Sequence, residues 1–319
     1  MPDYFIRFDL RGGDEALMEM QARFACRHRM GLEVGIRSRR DLETLKNFLA
    51  GLPRAPEVSI HLRRGKEFDF YFSDDDPGRN RHSIEAAVAL LDLLPGTAVI
   101  VHDETDPHAG TLSASRLEAY AGACRAIDPH LRRHGKILYV EFSGRLVPRD
   151  YIGLMEAVRA TGAESVGACV DTGHLYYYFR KKVRQRRGKA VESMSRFIGE
   201  VRATGVPVAY HVHDCTPESP HPRSHVSDHR PVGEGEIGLG GFRRIAGYLA
   251  GERVTLEILP FPDPGRTVLT DEEVTLLTGY AAAHGTDEGR ELRDGRIMKR
   301  TLEAMAESRR VLDALIASV

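Results

Sequence analysis

Six ionisable side chains, of the kinds that bind metal ions or move protons, each lie at or near the end of a short apolar run. They are His61, His102, Glu141, Asp171, His211 and Glu257. Successive members are separated by 41, 39, 30, 40 and 46 residues, and each interval is about the length of one strand plus one helix. Randomly scattered surface charges would not follow the apolar runs in this way. The spacing therefore predicts that these side chains meet at one site.

Carboxylates and imidazoles gathered in one cavity repel one another and lose hydration, which costs several kcal/mol unless a partner compensates. A divalent cation is the simplest such partner. Histidine and carboxylate ligands suit Mn²⁺, Co²⁺, Zn²⁺ or Fe²⁺, and the absence of cysteine from the set argues against a closed structural zinc site. The pattern therefore favours a catalytic metal, and Glu141, Asp171, His211 and Glu257 are its main candidate ligands because they follow four successive predicted strands.

The remaining sequence supplies the elements that would position these residues, because short β-branched or apolar runs alternate with longer helical patterns. The predicted strands are residues 5–10, 32–36, 58–62, 98–102, 137–141, 166–171, 208–213 and 254–259. The clearest helical stretches between them are residues 83–94, 114–131, 151–160, 191–203 and 241–250. Residues 271–319 are typical of additional helices packed outside, with TLEAMAESRRVLDALIA giving the clearest helical periodicity.

Eight such strand–helix units predict the α/β fold class, with a closed (β/α)₈ TIM barrel favoured over an open doubly wound sheet. An open nucleotide-binding sheet would carry GxGxxG after its first strand, and that motif is absent there. We expect residues 1–319 to form a single TIM-barrel domain, with the barrel over about residues 4–262 and a C-terminal helical extension over about residues 270–319.

Side-chain alternation along the predicted strands indicates which residues face the barrel axis. In the third strand, Ser59 and His61 share the inward face. His211 and His213 share it in the seventh strand, and Glu257 lies on it in the eighth. The polar strand ends therefore converge on the mouth of the barrel. Taken alone, His61 and His102 are as readily explained as ordinary hydrogen-bonded histidines as they are as ligands.

The overall charge excludes a global attraction to nucleic acid or to an anionic membrane, because 45 Lys and Arg residues face 46 Asp and Glu residues. The N-terminus lacks the apolar segment of a signal peptide, and no apolar run is long enough to span a bilayer. The four cysteines show no CxxC spacing, which suits reduced thiols. We therefore expect a cytoplasmic protein with no membrane partner.

Three motifs resemble the xylose isomerase-like TIM barrel superfamily, which includes sugar-phosphate isomerases and epimerases and the endonuclease IV type of abasic-site nuclease. The motifs are GACVDTGH at residues 167–174, YHVHD at 210–214 and DHRPVGEGEIGLGGF at 228–242. The last two in tandem are quite specific to this group, whereas DTGH alone would be a weak signal. The resemblance extends over about residues 31–259.

The resemblance implies that Glu141, Asp171, His211 and Glu257 bind the shared metal. In ketose epimerases of this group the two glutamates also move the proton, which makes Glu141 and Glu257 the candidate catalytic residues. In the isomerase interpretation the side chains that would contact the substrate are His61, His102, His174, His229 and Arg180.

The nuclease branch of the same group binds three zinc ions. The resemblance implies that its additional ligands would match His61, His102, His174 and His229, together with an aspartate two residues before the last. This chain has Ser227 at that position, with Asp228 displaced by one residue. The departure argues against a complete third metal site.

Basic residues crowd the loops that would surround the mouth of the barrel. They are Arg37, Arg39 and Arg40, then Arg63, Arg64 and Lys66, and the segment FRKKVRQRRGK at residues 179–189 that contains Arg180. Such charge favours an anionic substrate or a nucleic-acid backbone, although residues 180–189 are also typical of a solvated helix start.

Two functions follow. The first is a divalent-metal-dependent isomerase or epimerase of carbohydrate metabolism, acting on a small sugar, sugar phosphate or related polyol through an enediolate. The alternative is an endonuclease IV-like, zinc-dependent abasic-site DNA endonuclease, and only this alternative requires a nucleic-acid partner. Near-neutral net charge and Ser227 favour the first, whereas the basic loops favour the second. Barrels of this group often pair, so the resemblance also implies a homo-oligomer.

Overall fold

Eight parallel strands form a closed barrel in the order β1 to β8. The structure is a computed structural model that describes residues 1–10, 14–62, 77–103, 111–217 and 228–319. The strands are β1 Asp3–Phe8, β2 Gly31–Ile36, β3 Val58–Leu62, β4 Ala98–His102, β5 Ile137–Phe142, β6 Val166–Asp171, β7 Val208–Val212 and β8 Arg253–Leu256. Strand β1 pairs in parallel with both β2 and β8, so the ring is complete and the predicted TIM barrel is confirmed.

Helices follow the strands and cover the outside of the barrel. They are α1 Glu15–His28, α2 Arg39–Gly51, α3 Pro77–Leu91, α4 Ala114–Arg133, α5 Pro148–Ala160, α6 Thr172–Tyr177, α7 Arg187–Ala203, α8 Gly238–Leu249, α9 Asp271–His284 and α10 Glu288–Ile316. Local sequence sets several of their starts, because Asp14, Ser38 and Ser113 each accept a hydrogen bond from a backbone N–H of the first turn. None of the helices in the described ranges is both long and apolar enough to cross a membrane.

The C-terminal helices complete the outer ring, which refines the expectation of an extension packed outside. Helix α10 packs against α8, α9 and α1, and so occupies the place of the eighth barrel helix. Leu302 and Leu312 on its inner face are buried in the main core. The Tyr4 hydroxyl at the start of β1 donates a hydrogen bond to Asp313 at 2.8 Å. Whether all 319 residues fold as a single domain stays a prediction.

The barrel interior is filled in layers by the inward-facing side chains. At the bottom, Phe5 fills the space that the missing side chain of Gly31 leaves, since a Cβ at that glycine would lie 2.2 Å from the Phe5 ring. The Arg253 guanidinium covers the same ring at 4.0 Å from its centroid. Above this lies a small apolar layer that includes Ile100 and Tyr139. The next inward position along each strand is at the upper mouth, and there the ionisable residues begin.

Strands β3, β4 and β6 match their predicted bounds, whereas β1, β7 and β8 end earlier than predicted. Strand β1 ends at Phe8 rather than residue 10, because the backbone N–H of Asp9 donates to the Gln21 side chain at 2.9 Å. Likewise, β7 ends at Val212 and β8 at Leu256, so His213 and Glu257 lie just beyond their strands.

If α10 is an integral barrel helix, a Leu312→Ala substitution should destabilise the whole chain. Leu312 is fully buried, and the cavity should lower the free energy of unfolding by about 2–5 kcal/mol. Urea denaturation followed by circular dichroism measures the change. The matched control is Glu303→Ala on the exposed side of the same helix, which should stay within about 0.5 kcal/mol of the unsubstituted protein. Equal midpoints for the two variants would show that α10 is only an appendage.

Candidate metal centre

The four predicted metal ligands come together at the C-terminal mouth of the barrel. Glu141 lies in β5, Asp171 is the last residue of β6, His211 lies in β7 and Glu257 directly follows β8. All four side chains are buried. Each offers one ligand atom, and these atoms all lie within 4.8 Å of one another. The arrangement can hold a single ion.

The His211 imidazole lies between the two glutamates. Its Nδ1 is 3.4 Å from Glu141 Oε2 and 3.3 Å from Glu257 Oε2. Strands β6 and β7 separate β5 from β8 in the barrel, so the two carboxylates reach this nitrogen from non-adjacent strands. The space beside Nδ1 is therefore bounded by two carboxylates.

Several buried atoms of this group make no well-aligned hydrogen bond within the described part of the chain, although imidazole nitrogens lie 3.1–3.6 Å from the Glu141 carboxylate. Both carboxylate oxygens of Glu141 and Nδ1 of His211 are among them. An unsatisfied buried polar group costs about 1–3 kcal/mol, and more when it is charged. A divalent cation bound to these atoms would offset that cost, and three carboxylates with one imidazole are ligands that Mn²⁺, Co²⁺, Zn²⁺ and Fe²⁺ accept. The residues fit a metal ion.

The carboxylates and imidazoles stabilise one another's charged forms. Burial alone would raise the pKa of Glu141, but the charges of His211 and His61 hold that pKa well below its ordinary value. Burial would lower the pKa of His211, but the Cys169 thiol and the carboxylates of Glu33 and Glu141 together raise it well above its ordinary value. An ion that binds through His211 therefore has to displace a proton.

A second group shares Glu141 with the first. His61 Nε2 lies 3.1 Å and His102 Nε2 lies 3.6 Å from Glu141 Oε2, and the two Nε2 atoms are 3.1 Å apart. These three residues also satisfy the distances for a metal site. Burial lowers the pKa of His102 to about 4, so this imidazole is neutral at pH 7 and has a lone pair to offer.

A third group lies on the other side of Asp171. It contains His174 from the start of α6, His213 directly after β7, and His229. The His213 and His229 rings stack with centroids 4.0 Å apart and planes 8° apart. His174 Nδ1 is 3.3 Å from Asp171 Oδ2. The resemblance predicted His174 and His229 at the site, and the structure brings both to it.

The GEG motif positions His229 through a buried carboxylate. Asp214, the last residue of YHVHD, accepts hydrogen bonds from the backbone N–H groups of Gly235, Ile237 and Gly238 at 2.8–3.0 Å. A Cβ at Gly235 would lie 2.4 Å from the Asp214 carboxylate, so only glycine fits there. Asp214 and Arg230 form an isolated antiparallel β-bridge, and His229, next to Arg230, adopts a left-handed φ of 52°. The two motifs form one structural unit that points His229 into the cavity.

Glu33 is a site residue that the sequence interpretation missed. It lies on β2, is buried, and has Oε1 2.9 Å from His211 Nε2 and 3.5 Å from His61 Nδ1. Its other oxygen accepts a hydrogen bond from the Thr255 hydroxyl at 2.7 Å. The alternation that placed His61 inward, applied to GLEVGI at residues 31–36, would have placed Glu33 inward as well.

Arg7 on β1 is a second site residue that the sequence interpretation missed, although the same alternation places it inward. Its guanidinium Nη1 lies 3.5 Å from Glu257 Oε1, and Arg7 occupies the inward position above Phe5 on β1. The site therefore contains at least one permanent positive charge.

Arg180, predicted to contact the substrate, pairs with a different carboxylate. Its Nε lies 2.9 Å from Glu236 Oε2, and its Nη1 donates to the Gln185 carbonyl at 2.7 Å. It therefore anchors the basic segment to the GEGE loop, and substrate contact stays a prediction. Four other residues named above lie outside the described residues, namely Arg63, Arg64, Lys66 and Ser227.

Comparisons with known proteins agree with the observed fold. The family model described as "Xylose isomerase-like TIM barrel" matches residues 56–269, more than half of the chain. No curated protein matches the sequence.

Solved structures share the fold at low sequence identity. An L-ribulose 3-epimerase is 14% identical, with 100% of this chain and 99% of that chain covered and a TM-score of 0.55. A D-allulose 3-epimerase from Methylomonas sp. is 12% identical, with coverages of 95% and 98% and a TM-score of 0.53. A xylose isomerase-like TIM barrel protein from Mycobacterium smegmatis, in complex with magnesium, is 13% identical, with coverages of 99% and 97% and a TM-score of 0.53.

The DTGH glycine should not tolerate a side chain. A Cβ at Gly173 would lie 1.9 Å from the fully buried His213 ring, so Gly173→Ala should lower the free energy of unfolding by about 1–3 kcal/mol. Thermal and urea denaturation measure this. The control is Gly188→Ala in the first turn of α7, where nothing lies within 4 Å of the added carbon. Equal unfolding midpoints for Gly173→Ala and Gly188→Ala would contradict the placement of His213.

Proposed function

The chain belongs to the xylose isomerase-like TIM barrel family, and on that premise we propose that it is a divalent-metal-dependent isomerase or epimerase of a small sugar, sugar phosphate or related polyol. The observation that carries the proposal is the position of Glu141 and Glu257, whose carboxylates come from different parts of the barrel and both approach His211 Nδ1, at 3.4 and 3.3 Å. Two carboxylates that face one small cavity from different strands are suited to removing a proton from one side of a carbon and returning it to the other.

In this proposal Glu141, Asp171, His211 and Glu257 hold the ion. Their burial, their mutual distances and the unsatisfied atoms of Glu141 and His211 support the assignment. When bound, the cation would polarise the substrate's carbonyl oxygen and so make the neighbouring C–H bond more acidic. Metal identity among Mn²⁺, Co²⁺, Zn²⁺ and Fe²⁺ is left open by this ligand set.

The protein's own groups would then carry the proton. The positive charges around Glu141 and Glu257 outweigh the effect of burial and hold both pKa values low, so both side chains start as carboxylates. One carboxylate accepts the proton from carbon, which leaves an enediolate. The other glutamate, after taking up a proton from water, would deliver it to the opposite face for epimerisation or to the adjacent carbon for isomerisation. The first glutamate would then release the proton that it removed to water.

The partly exposed histidines at the mouth would contact the substrate. The side chains of His102 and His174 are 25% and 28% exposed, whereas those of Glu141 and Asp171 are at most 1% exposed. His229, which is also partly exposed, and the buried His61 lie beside them, and all four rings can exchange hydrogen bonds with sugar hydroxyl groups. The basic segment at residues 179–189, which contains Arg180, suits a phosphorylated sugar. Cytoplasmic location and self-association complete the proposal.

One observation favours the alternative, an abasic-site endonuclease. The His61, His102 and Glu141 group shares Glu141 with the main group, as a metal pair bridged by one carboxylate requires. Such a pair suits phosphodiester hydrolysis, because it activates water and stabilises the leaving oxygen. Metal stoichiometry separates the two functions.

The purified protein should bind one divalent ion per chain, and Glu257→Gln should lose it, because the substitution removes one of three anionic ligands. Inductively coupled plasma mass spectrometry after dialysis against Mn²⁺ or Zn²⁺ measures the ratio. Affinity should rise with pH until the pH passes the raised pKa of His211, because the imidazolium must lose its proton to bind. Glu307→Gln, on the exposed surface of α10, is the control and should bind normally. Three zinc ions per chain with cleavage of abasic DNA would establish the nuclease instead.

Proton transfer is tested by hydrogen exchange at carbon. The Mn²⁺-loaded protein, incubated in D₂O with a panel of ketoses and ketose phosphates, should incorporate deuterium beside the carbonyl of at least one of them, as read by NMR. Glu141→Gln and Glu257→Gln should each slow that exchange by about a hundredfold or more. Full exchange in both variants would contradict the assigned roles of the two glutamates, even with the metal in place.

A further inference from the structure

The second histidine of the YHVHD motif has no task in the function proposed above. His213 is fully buried, and it meets the distance criterion for a metal ligand together with Asp171, His174 and His229. Its hydrogen bonds, however, occupy both ring nitrogens with partners from the protein itself.

Nδ1 of His213 faces backbone groups. It lies 3.1 Å from the backbone nitrogen of His229, which donates to it, and 3.1 Å from the carbonyl oxygen of Asp214. If the ring is neutral and accepts from His229 N–H, the proton is on Nε2. If the ring is charged, both nitrogens carry protons and Nδ1–H donates to Asp214 instead. The remaining neutral tautomer, with its proton on Nδ1, would set the Nε2 lone pair against the Asp171 oxygen 3.0 Å away, which is repulsive. Nε2 therefore holds a proton.

Nε2 faces the carboxylate of Asp171, at 3.0 Å from Oδ1 and 3.2 Å from Oδ2. The proton on Nε2 is therefore donated to Asp171, one of the four proposed metal ligands. A nitrogen that donates its proton in this way has no lone pair for a cation.

Surrounding contacts hold the ring in this orientation. The Thr172 hydroxyl donates to the backbone carbonyl of His213 at 3.0 Å and accepts from its backbone N–H at 3.2 Å. Gly173 leaves the space in which the ring lies, and His229 stacks on its other side. The start of α6, the end of β7 and the loop after it thus all fix this one imidazole.

We propose that His213 is a positioning residue rather than a metal ligand: it donates a hydrogen bond from Nε2 to Asp171 and thereby orients this carboxylate toward the ion. The inference rests on the proposed metal centre. The two histidines of YHVHD then have different roles. His211 offers its lone pair to the ion, and His213 orients the neighbouring ligand Asp171. Partners that orient metal ligands typically change metal affinity about ten- to a hundredfold when lost.

Two substitutions of His213 separate positioning from ligation. The amide nitrogen of glutamine reaches about as far as Nε2, so His213→Gln keeps a donor for Asp171. Asparagine reaches only as far as Nδ1, so His213→Asn keeps a partner for the His229 backbone and loses the donor to Asp171. We expect His213→Gln to bind Mn²⁺ with an affinity close to that of the unsubstituted protein and His213→Asn to bind it about ten- to a hundredfold more weakly.

Isothermal titration with Mn²⁺ measures the affinities, and the absorption spectrum of the Co²⁺-loaded proteins reports the ligand set. The spectrum should keep the same bands in both variants, because no ligand is removed. Loss of affinity in both variants with altered Co²⁺ bands would make His213 a ligand, and unchanged affinity in both would remove its role altogether; either result overturns the inference. Failure of the unsubstituted protein to bind Mn²⁺ or Co²⁺ would instead overturn the proposed metal centre.

If His213→Asn does not fold, Thr172→Val tests the same point. It removes the hydroxyl that holds the backbone of His213 but leaves the imidazole in place. A looser ring should weaken Mn²⁺ binding about fivefold, the effect of one neutral hydrogen bond. Mn²⁺ affinity equal to that of the unsubstituted protein would contradict the inference.

Discussion

The crowding of ionised groups at the mouth of the barrel is the constraint on which the other features of the site depend. Each of the carboxylates Glu33, Glu141, Asp171 and Glu257 is at least nine-tenths buried and lies close to at least one imidazole. The low pKa of the acids and the high pKa of His211 are two sides of this attraction. In the protein alone, positively charged histidines balance the negative charge of the carboxylates. A divalent cation can replace part of that positive charge, because its binding releases protons from the histidines. A cavity that exchanges protons for a cation in this way is suited to chemistry in which protons move.

The barrel makes this crowding possible because inward-facing side chains near the C-terminal ends of the strands meet in one cavity. Phe5 and the apolar layer above it close the bottom, so the charged layer faces solvent only through the mouth. Asp214, just after β7, holds the GEGEIG segment at residues 233–238, because its carboxylate accepts hydrogen bonds from three backbone N–H groups of that segment. The HxHD and GEG motifs therefore form one structural element, which holds His229 in a fixed position.

The sequence predicted the fold class, most strand bounds and the four central side chains, because period-two alternation and regular spacing are local signals. Three features needed the folded chain. Alternation places Glu33 and Arg7 inward, but their partners His211 and Glu257 lie 178 and 250 residues away, so these contacts follow only from the folded chain. Helix α10 is evident from its periodicity, but periodicity does not show that it fills the eighth place of the ring. Arg180 was assigned from charge alone, and the partner it finds is Glu236.

The most direct test of the central claim is to locate the ion. Crystals grown with Mn²⁺ and measured on both sides of the manganese absorption edge should give one strong anomalous peak in contact with Glu141, Asp171, His211 and Glu257. The account predicts ligand distances of about 2.0–2.4 Å, with the four side chains close to their present positions. A peak elsewhere, or these four residues surrounding only ordered water at saturating Mn²⁺, would contradict it.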